Sequence, residues 1–82
     1  MADFGRVSNV RKKNLKYLKA FGANLCKIRV KKGLSQEELS YRTGMSFTSI
    51  NRIESGKINT TVASCRELAK ALEVPTKDLF DF

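Results

Sequence analysis

Two short helical segments joined by a glycine turn constrain this chain more than any other feature of its sequence. Ser35 and Glu38 form a capping box, in which the hydroxyl and the carboxylate satisfy free amides at a helix start. Gly44 allows the left-handed conformation that ends this helix, and Ser46 can cap the next one. We therefore expect two short helices with a tight turn between them over about residues 36–55.

The remaining elements follow from apolar residues that recur at steps of three and four, the spacing of one helix face. A first helix is expected from Asn14 to Lys32, with Gly33 as its stop. Thr61 can cap a fourth helix, whose apolar face extends to Leu72. Pro75 opens a fifth helix through Phe80. Because nothing in the chain has the pattern of a strand, the sequence predicts a compact all-α fold of five helices.

Length and cysteine content exclude several classes of protein. The chain has 82 residues, enough for one domain, which we place at residues 17–82 after an arm of residues 1–16. Cys26 and Cys65 form no CxxC motif and the chain has no histidine, so we predict no metal site. A disulfide between them is the less favoured alternative to two free thiols. No apolar run approaches the ~20 residues of a membrane span, and we predict no membrane association and a cytoplasmic location.

Positive charge is concentrated in the first part of the chain. The formal net charge is +8. Residues 1–33 carry ten basic residues and one acid, whereas residues 34–82 carry six basic residues and seven acids. This asymmetry favours a polyanionic partner, and the alternative is a solvated face that only maintains solubility.

The second helix of the central pair has one face for the core and one for a partner. At 100° per residue, Ile50 and Ile53 point inward, while Thr48 and Arg52 point nearly opposite. Asn51 lies beside the outward face. Two helices joined in this way form the layout that places the second helix in the major groove of DNA.

The central pair and its flanks also resemble a known family. The stretch FGANLCKIRVKKGLSQEELSYRTGMSFTSINRIESGK, followed by LAKALEV and DLF, is similar to the Xre family of helix-turn-helix regulators. That family includes lambdoid phage repressors, restriction-modification controllers and antitoxins. The resemblance implies a lambda-repressor-like fold and a homodimer on a two-fold symmetric double-stranded DNA operator. It implies a sequence-specific transcriptional regulator, in its simplest form a repressor of its own promoter, without a cofactor or an evident small-molecule ligand.

The resemblance assigns DNA contacts position by position. The positions that match base-reading residues of the family are Phe47, Thr48, Asn51 and Arg52. The positions that match phosphate-contacting residues are Gln36, Ser46, Lys57, Asn59 and Thr60.

Side-chain chemistry fits the base-reading positions. Arg52 can bind guanine O6 and N7, Asn51 can pair with adenine, and Thr48 suits either kind of base. Phe47 departs from the family, which often has a polar or basic residue there. It is expected to contact a thymine methyl group, and the alternative is that it packs against Tyr41 or Gln36.

Arg29 and Glu54 are interpreted as a structural ion pair. Arg29 falls within the apolar stripe of the first helix, and Glu54 lies only about 70° from the inward face of its own helix. Two inward charges of opposite sign on packed helices are best explained by pairing, because an unpaired buried charge is prohibitive. The family has such a pair at these positions.

The C-terminal segment is the expected dimer interface. It holds more apolar surface than a short terminal helix needs to cover its own core. Phe80 is expected to face inward, so the residues predicted to face a partner are Val74, Leu79 and Phe82. The alternative is that all of them pack within a monomer.

Two other functions remain open from the sequence. A restriction-modification controller, which activates as well as represses, belongs to the same class. An antitoxin that binds a toxin protein belongs to another class, and only residues 1–20 are available to wrap such a partner. We predict no catalytic residues and no enzyme activity, since no nucleophile and base stand together.

Overall fold

Polar caps and glycines divide the chain into short helices. The computed structural model describes residues 4–82, with side chains from residue 14 onward. This part of the chain forms α-helices and one 3₁₀ helix, and it contains no strand. The elements are α1 (Phe4–Lys31), α2 (Gln36–Thr43), α3 (Phe47–Glu54), α4 (Val62–Leu72) and the 3₁₀ helix (Thr76–Phe80).

The prediction of five helices is wrong, because the described residues form four α-helices and the fifth element is a 3₁₀ helix of five residues. The amide of Asp78 donates to the carbonyl of Pro75 at 3.0 Å, three residues back along the chain. That spacing defines the tighter 3₁₀ turn. So few residues do not offset the cost of nucleating an α-helix.

α1 begins earlier than the apolar pattern predicts. It starts at Phe4 rather than Asn14, so the arm proposed for residues 1–16 overlaps it. The side chains of residues 1–13, which hold most of the charge of that arm, lie outside the described residues. No helix in the described part is both long and apolar enough to cross a membrane.

The predicted caps of the later helices are confirmed. Ser35 Oγ accepts a hydrogen bond from the Glu38 amide at 3.0 Å, and the Ser35 amide donates to Glu38 Oε1 at 3.2 Å. Ser46 and Thr61 cap α3 and α4 by accepting from the amides three residues on, at 3.1 and 3.0 Å. Each such cap stabilises a helix by about 1 kcal/mol.

A continuous apolar core joins the helices. Phe21 and Leu25 of α1 are buried, and Ile28 is partly buried against the core. Cys65 lies in this core, where burial raises the pKa of its thiol. Cys26 and Cys65 are free thiols, so the disulfide alternative is not realised. The buried residues are Phe21, Leu25, Leu34, Leu39, Ile50, Ile53, Cys65, Leu68, Ala69, Leu72 and Leu79.

An ion pair connects α1 to α3. Arg29 Nε donates to Glu54 Oε2 at 2.6 Å, and Arg29 Nη2 donates to Glu54 Oε1 at 3.0 Å. The same guanidinium donates through Nη1 to the carbonyl of Leu34 at 2.7 Å. Arg29 therefore holds α1, the turn that follows it and the last residue of α3 in one arrangement.

Asn24 fastens the C-terminal 3₁₀ helix to α1. Its Nδ2 donates to the carbonyls of Asp78 and Leu79, each at 2.9 Å. Both carbonyls lie in the last turn of the helix, where carbonyl groups lack some of their intrahelical partners; the Asp78 carbonyl also accepts from the Asp81 amide, at 3.4 Å. The position of the 3₁₀ helix is thus fixed by a side chain 54 residues away in the sequence.

Gly22 is the point of closest approach between α1 and α3. A Cβ atom added there would lie 2.3 Å from the carbonyl oxygen of Ile53 and 2.5 Å from that of Glu54. Backbone atoms cannot rotate aside as a flexible side chain can. Only glycine therefore permits this packing distance.

We expect Gly22→Ala to destabilise the fold by about 1–3 kcal/mol, the usual cost of overpacking. At an open helical position the same change stabilises by about 1 kcal/mol, so the sign of the effect is diagnostic. Urea unfolding followed by circular dichroism measures it. Ala23→Gly, at the exposed neighbouring position, gives the helix-propensity contribution alone. A Gly22→Ala variant as stable as the wild type would contradict the close approach.

Candidate nucleic-acid interface

α3 is anchored on one face and open on the other. Ile50 and Ile53 are buried, which leaves the opposite side of the helix in solvent. Thr48, Asn51 and Arg52 are all exposed on that side. The structure therefore brings the predicted base-reading side chains together on one face.

Phe47 is at the first turn of α3 and is 48% exposed. Tyr41, one of the two residues proposed to cover it, is 91% exposed and so gives it little cover. An aromatic ring left half in water at the start of an outward helix is available for apolar contact.

The turn between α2 and α3 is held by two hydroxyl groups. Ser40 Oγ donates to the carbonyl of Met45 at 2.5 Å. Thr43 Oγ1 donates to the carbonyl of Leu39 at 2.8 Å and accepts from the Met45 amide at 3.2 Å. Gly44, which lies between Thr43 and Met45, has φ 75°, the left-handed conformation that the sequence predicts. These bonds fix the direction in which α3 leaves α2.

The roles of Ser40 and Thr43 as hydrogen-bonding groups were not foreseen from the sequence. Hydroxyl side chains in the last turn of a helix commonly bond to nearby carbonyls, and this was the available signal.

Gln36 opens α2 but directs its side chain inward. Its Nε2 donates to Glu54 Oε1 at 2.9 Å, and its Oε1 accepts from Asn51 Nδ2 at 3.3 Å. Both the nitrogen and the oxygen of the Gln36 carboxamide are therefore hydrogen-bonded to other side chains of the protein. The free amides at the start of α2 still provide a partial positive charge for an anion.

The Arg29–Glu54 ion pair lies next to Gln36, whose Nε2 donates to Glu54. The Arg29 and Glu54 side chains are only 11% and 5% exposed. The hydrogen bond to Glu54 raises the pKa of the Arg29 guanidinium above its ordinary value, although burial acts in the opposite direction. The two side chains are nearly buried and bonded to each other, which fits a structural role.

The other expected phosphate contacts occupy different surroundings. Ser46 uses its hydroxyl to cap α3 and also donates to Ser49 Oγ at 2.9 Å. Lys57 is exposed immediately after α3. Asn59 and Thr60 line a groove whose other walls come from α1, from α4 and from Phe80.

The expected dimer residues do not form one surface. Leu79 is completely buried, so the expectation that it faces a partner is wrong. Val74 is partly buried against the same core. Phe82 is 51% exposed, and its ring centroid lies 5.2 Å from that of Tyr17. Of the three residues, Phe82 alone has a largely accessible side chain.

A different apolar surface lies beside Phe82. Phe80 packs 5.1 Å from Phe21 but remains exposed on its other side, and Val62 is exposed at the start of α4. Together with Tyr17 these side chains surround the groove of about 300 Å³ that Asn59 and Thr60 border. We call Tyr17, Val62, Phe80 and Phe82 the C-terminal apolar patch. Its members come from three helices and from the residues after the last of them, and they share no spacing in the sequence.

Comparisons with known proteins agree with this geometry. A family model described as helix-turn-helix matches residues 27–79. The chain is 41% identical over 61 residues to y4dJ of Sinorhizobium fredii, an uncharacterized HTH-type transcriptional regulator, with 74% of this chain and 79% of the relative covered.

Two solved structures are similar in fold. The restriction-modification controller protein C.AhdI from Aeromonas hydrophila matches with a TM-score of 0.79 at 33% identity, covering 80% of this chain and 96% of its own. The controller C.Esp1396I, solved as a tetramer with its natural 35 base-pair operator, matches with a TM-score of 0.72 at 34% identity. That match covers 79% of this chain and 86% of the controller.

Proposed function

The chain belongs to the helix-turn-helix family of transcriptional regulators, and we propose that it reads double-stranded DNA with the outer face of α3. The observation that carries this proposal is the geometry of α3 itself. The helix is capped at Ser46, anchored by Ile50 and Ile53, and presents four predicted reading residues outward. A rigid helix with one free polar face is suited to insertion in a major groove.

Each reading residue has a complementary base. Arg52 suits the two acceptors of guanine, and Asn51 suits the donor and acceptor of adenine. Thr48 can serve either kind of contact. Phe47 supplies an apolar contact for the methyl group of thymine, which its half-exposed ring supports.

Phosphate binding is proposed for the ends of these helices and the loop after α3. The free amides at the starts of α2 and α3 favour an anion, and Lys57 adds a full charge. α1 contributes more positive charge beside this loop. The backbone of Lys19 in α1 lies so close to Gly56 that a Cβ atom added to Gly56 would be 2.6 Å from Lys19 Cα. Asn59 and Thr60, in the loop before α4, are proposed to contact phosphates as well.

We propose that two copies bind a two-fold symmetric operator through the C-terminal apolar patch. One recognition helix reads only a few base pairs, and a dimer presents two helices about 34 Å apart to successive turns of DNA. The patch is apolar, whereas the lysine-rich α1 is a poor surface for self-association, because like charges would be brought together. The groove at the patch gives a second copy a surface to fill.

Repression of its own or a neighbouring promoter is the simplest regulatory outcome of such binding. Control of a restriction-modification system is a second candidate, favoured by the match that covers 96% of the controller C.AhdI. Genes for a methyltransferase and an endonuclease beside its own would distinguish the second candidate from the first.

Selection of binding sites from random duplexes by the purified protein tests the proposal. We expect one enriched, two-fold symmetric sequence whose affinity falls steeply with salt. If a dimer neutralises roughly six to ten phosphates, affinity drops by about 10³ to 10⁵ between 50 and 200 mM salt. Failure to enrich any sequence, or binding nearly independent of salt, would contradict the proposal.

Base reading and phosphate binding should separate in two variants. We expect Arg52→Ala to cost about 1–3 kcal/mol per half-site and to remove the preference at one base pair of each half-site. Lys57→Ala should instead weaken all duplexes alike and lower the salt slope of the dimer by about 2, one for each subunit. Titration of both variants against single-base operator variants measures these effects. An unchanged ranking of operators in Arg52→Ala would show that the reading face is elsewhere.

Dimerisation should depend on Phe82 rather than on Leu79. We expect Phe82→Glu to stay folded and become monomeric, since the side chain is exposed in the single chain and a buried charge at an interface is costly. Sedimentation equilibrium at tens of micromolar measures the association. Val30→Glu, at an exposed apolar position outside the patch, controls for the added charge. Equal association of both variants and the wild type would exclude this interface.

A further inference from the structure

A line of hydrogen bonds runs from the buried ion pair to the reading face of α3. Arg29 donates to Glu54 through two nitrogens, and Gln36 Nε2 donates to Glu54 Oε1 at 2.9 Å. Asn51 Nδ2 then donates to Gln36 Oε1 at 3.3 Å. Exposure increases along the line, from the nearly buried carboxylate to the exposed side chain of Asn51.

The direction of these bonds is dictated by the carboxylate. An ionised carboxylate only accepts hydrogen bonds, so Gln36 must turn its NH₂ group toward Glu54. A carboxamide is planar, so its oxygen then faces the other way, toward Asn51. That oxygen also only accepts, and Asn51 must therefore offer its own NH₂ group. The charge of Glu54 thus selects one of two amide orientations at each step.

We propose that Gln36 is a positioning residue that fixes the amide of Asn51 for base recognition. Donation of one N–H to Gln36 leaves Asn51 with its second N–H and its Oδ1. These are the donor and acceptor that adenine N7 and N6–H require. The effect on base recognition rests on the proposed function. The hydrogen bonds themselves are present in the free protein.

This role differs from direct phosphate binding by Gln36. A side chain that contacts only the phosphate affects every duplex equally, because phosphates carry no sequence information. A side chain that orients Asn51 affects one base pair. The two roles therefore predict different results for the same variant.

The first test uses the free protein and side-chain amide exchange measured by NMR. In Gln36→Met, which keeps the length of the side chain but removes both polar groups, we expect the Asn51 amide protons to exchange about two- to tenfold faster, as loss of one ordinary hydrogen bond allows. Asn24, which is bonded to Asp78 and Leu79, should not change and reports that the fold is intact. Unchanged exchange at Asn51 would overturn the proposal.

The second test uses base preference on the selected operator. Asn51→Ala first identifies the base pair that Asn51 reads. We expect Gln36→Met to reduce preference at that pair by about two- to tenfold, with the Arg52 pair unaffected. In an Asn51→Ala background, Gln36→Met should cause no further loss of preference there.

The matched control is Lys57→Ala, which is expected to act on the backbone alone. Uniform weakening by Gln36→Met, as for Lys57→Ala, would overturn the positioning role even if the protein reads DNA. If the wild type enriches no operator, the proposed function fails instead. In that case amide exchange at Asn51 still decides whether Gln36 orients it.

Discussion

The Arg29–Glu54 ion pair is the interaction on which the rest of the structure depends. It joins α1 to the end of α3, and its third hydrogen bond fixes the carbonyl of Leu34 in the turn before α2. Both side chains are largely withdrawn from water, so loss of either partner would leave a charge uncompensated, at a cost of about 3–5 kcal/mol. One guanidinium group therefore links α1, the turn before α2 and the end of α3. Gly22 makes this possible: it lies seven residues before Arg29, two helical turns along the same face, and lets the α1 and α3 backbones touch.

A buried ion pair is nevertheless a weak source of net stability, because desolvation offsets most of its attraction. Two apolar side chains could connect α1 to α3 equally well, but they could not direct a polar neighbour. Glu54 accepts from Gln36 as well as from Arg29, and this carries its influence to the surface. The pair lies close to the start of α2 and to Asn51 of α3. The charge of Glu54 can therefore orient polar side chains in addition to joining two helices.

Much of the fold was predictable because its signals are local. The capping residues Ser35, Ser46 and Thr61 act within one turn, so their pattern in the sequence is sufficient. The burial of Leu79 was not predictable from an α-helical wheel, since a 3₁₀ helix has three residues per turn and its faces differ. The orientation of Gln36 depends on Glu54, 18 residues away, and no local pattern contains it. The resemblance to a family supplied a phosphate role for Gln36 without showing which groups its side chain meets.

In the proposed DNA complex, attraction to DNA and discrimination between sequences belong to different helices. The basic residues are concentrated before residue 34, whereas the outer face of α3 has a single basic side chain, Arg52. Charge acts over about 10 Å at moderate salt and does not distinguish bases, so it can reside on a neighbouring element. Base reading requires side chains placed within hydrogen-bonding distance, and it therefore needs the rigid helix. The contact of Lys19 with Gly56 places the basic helix against the end of the reading helix, so that one docking event can engage both.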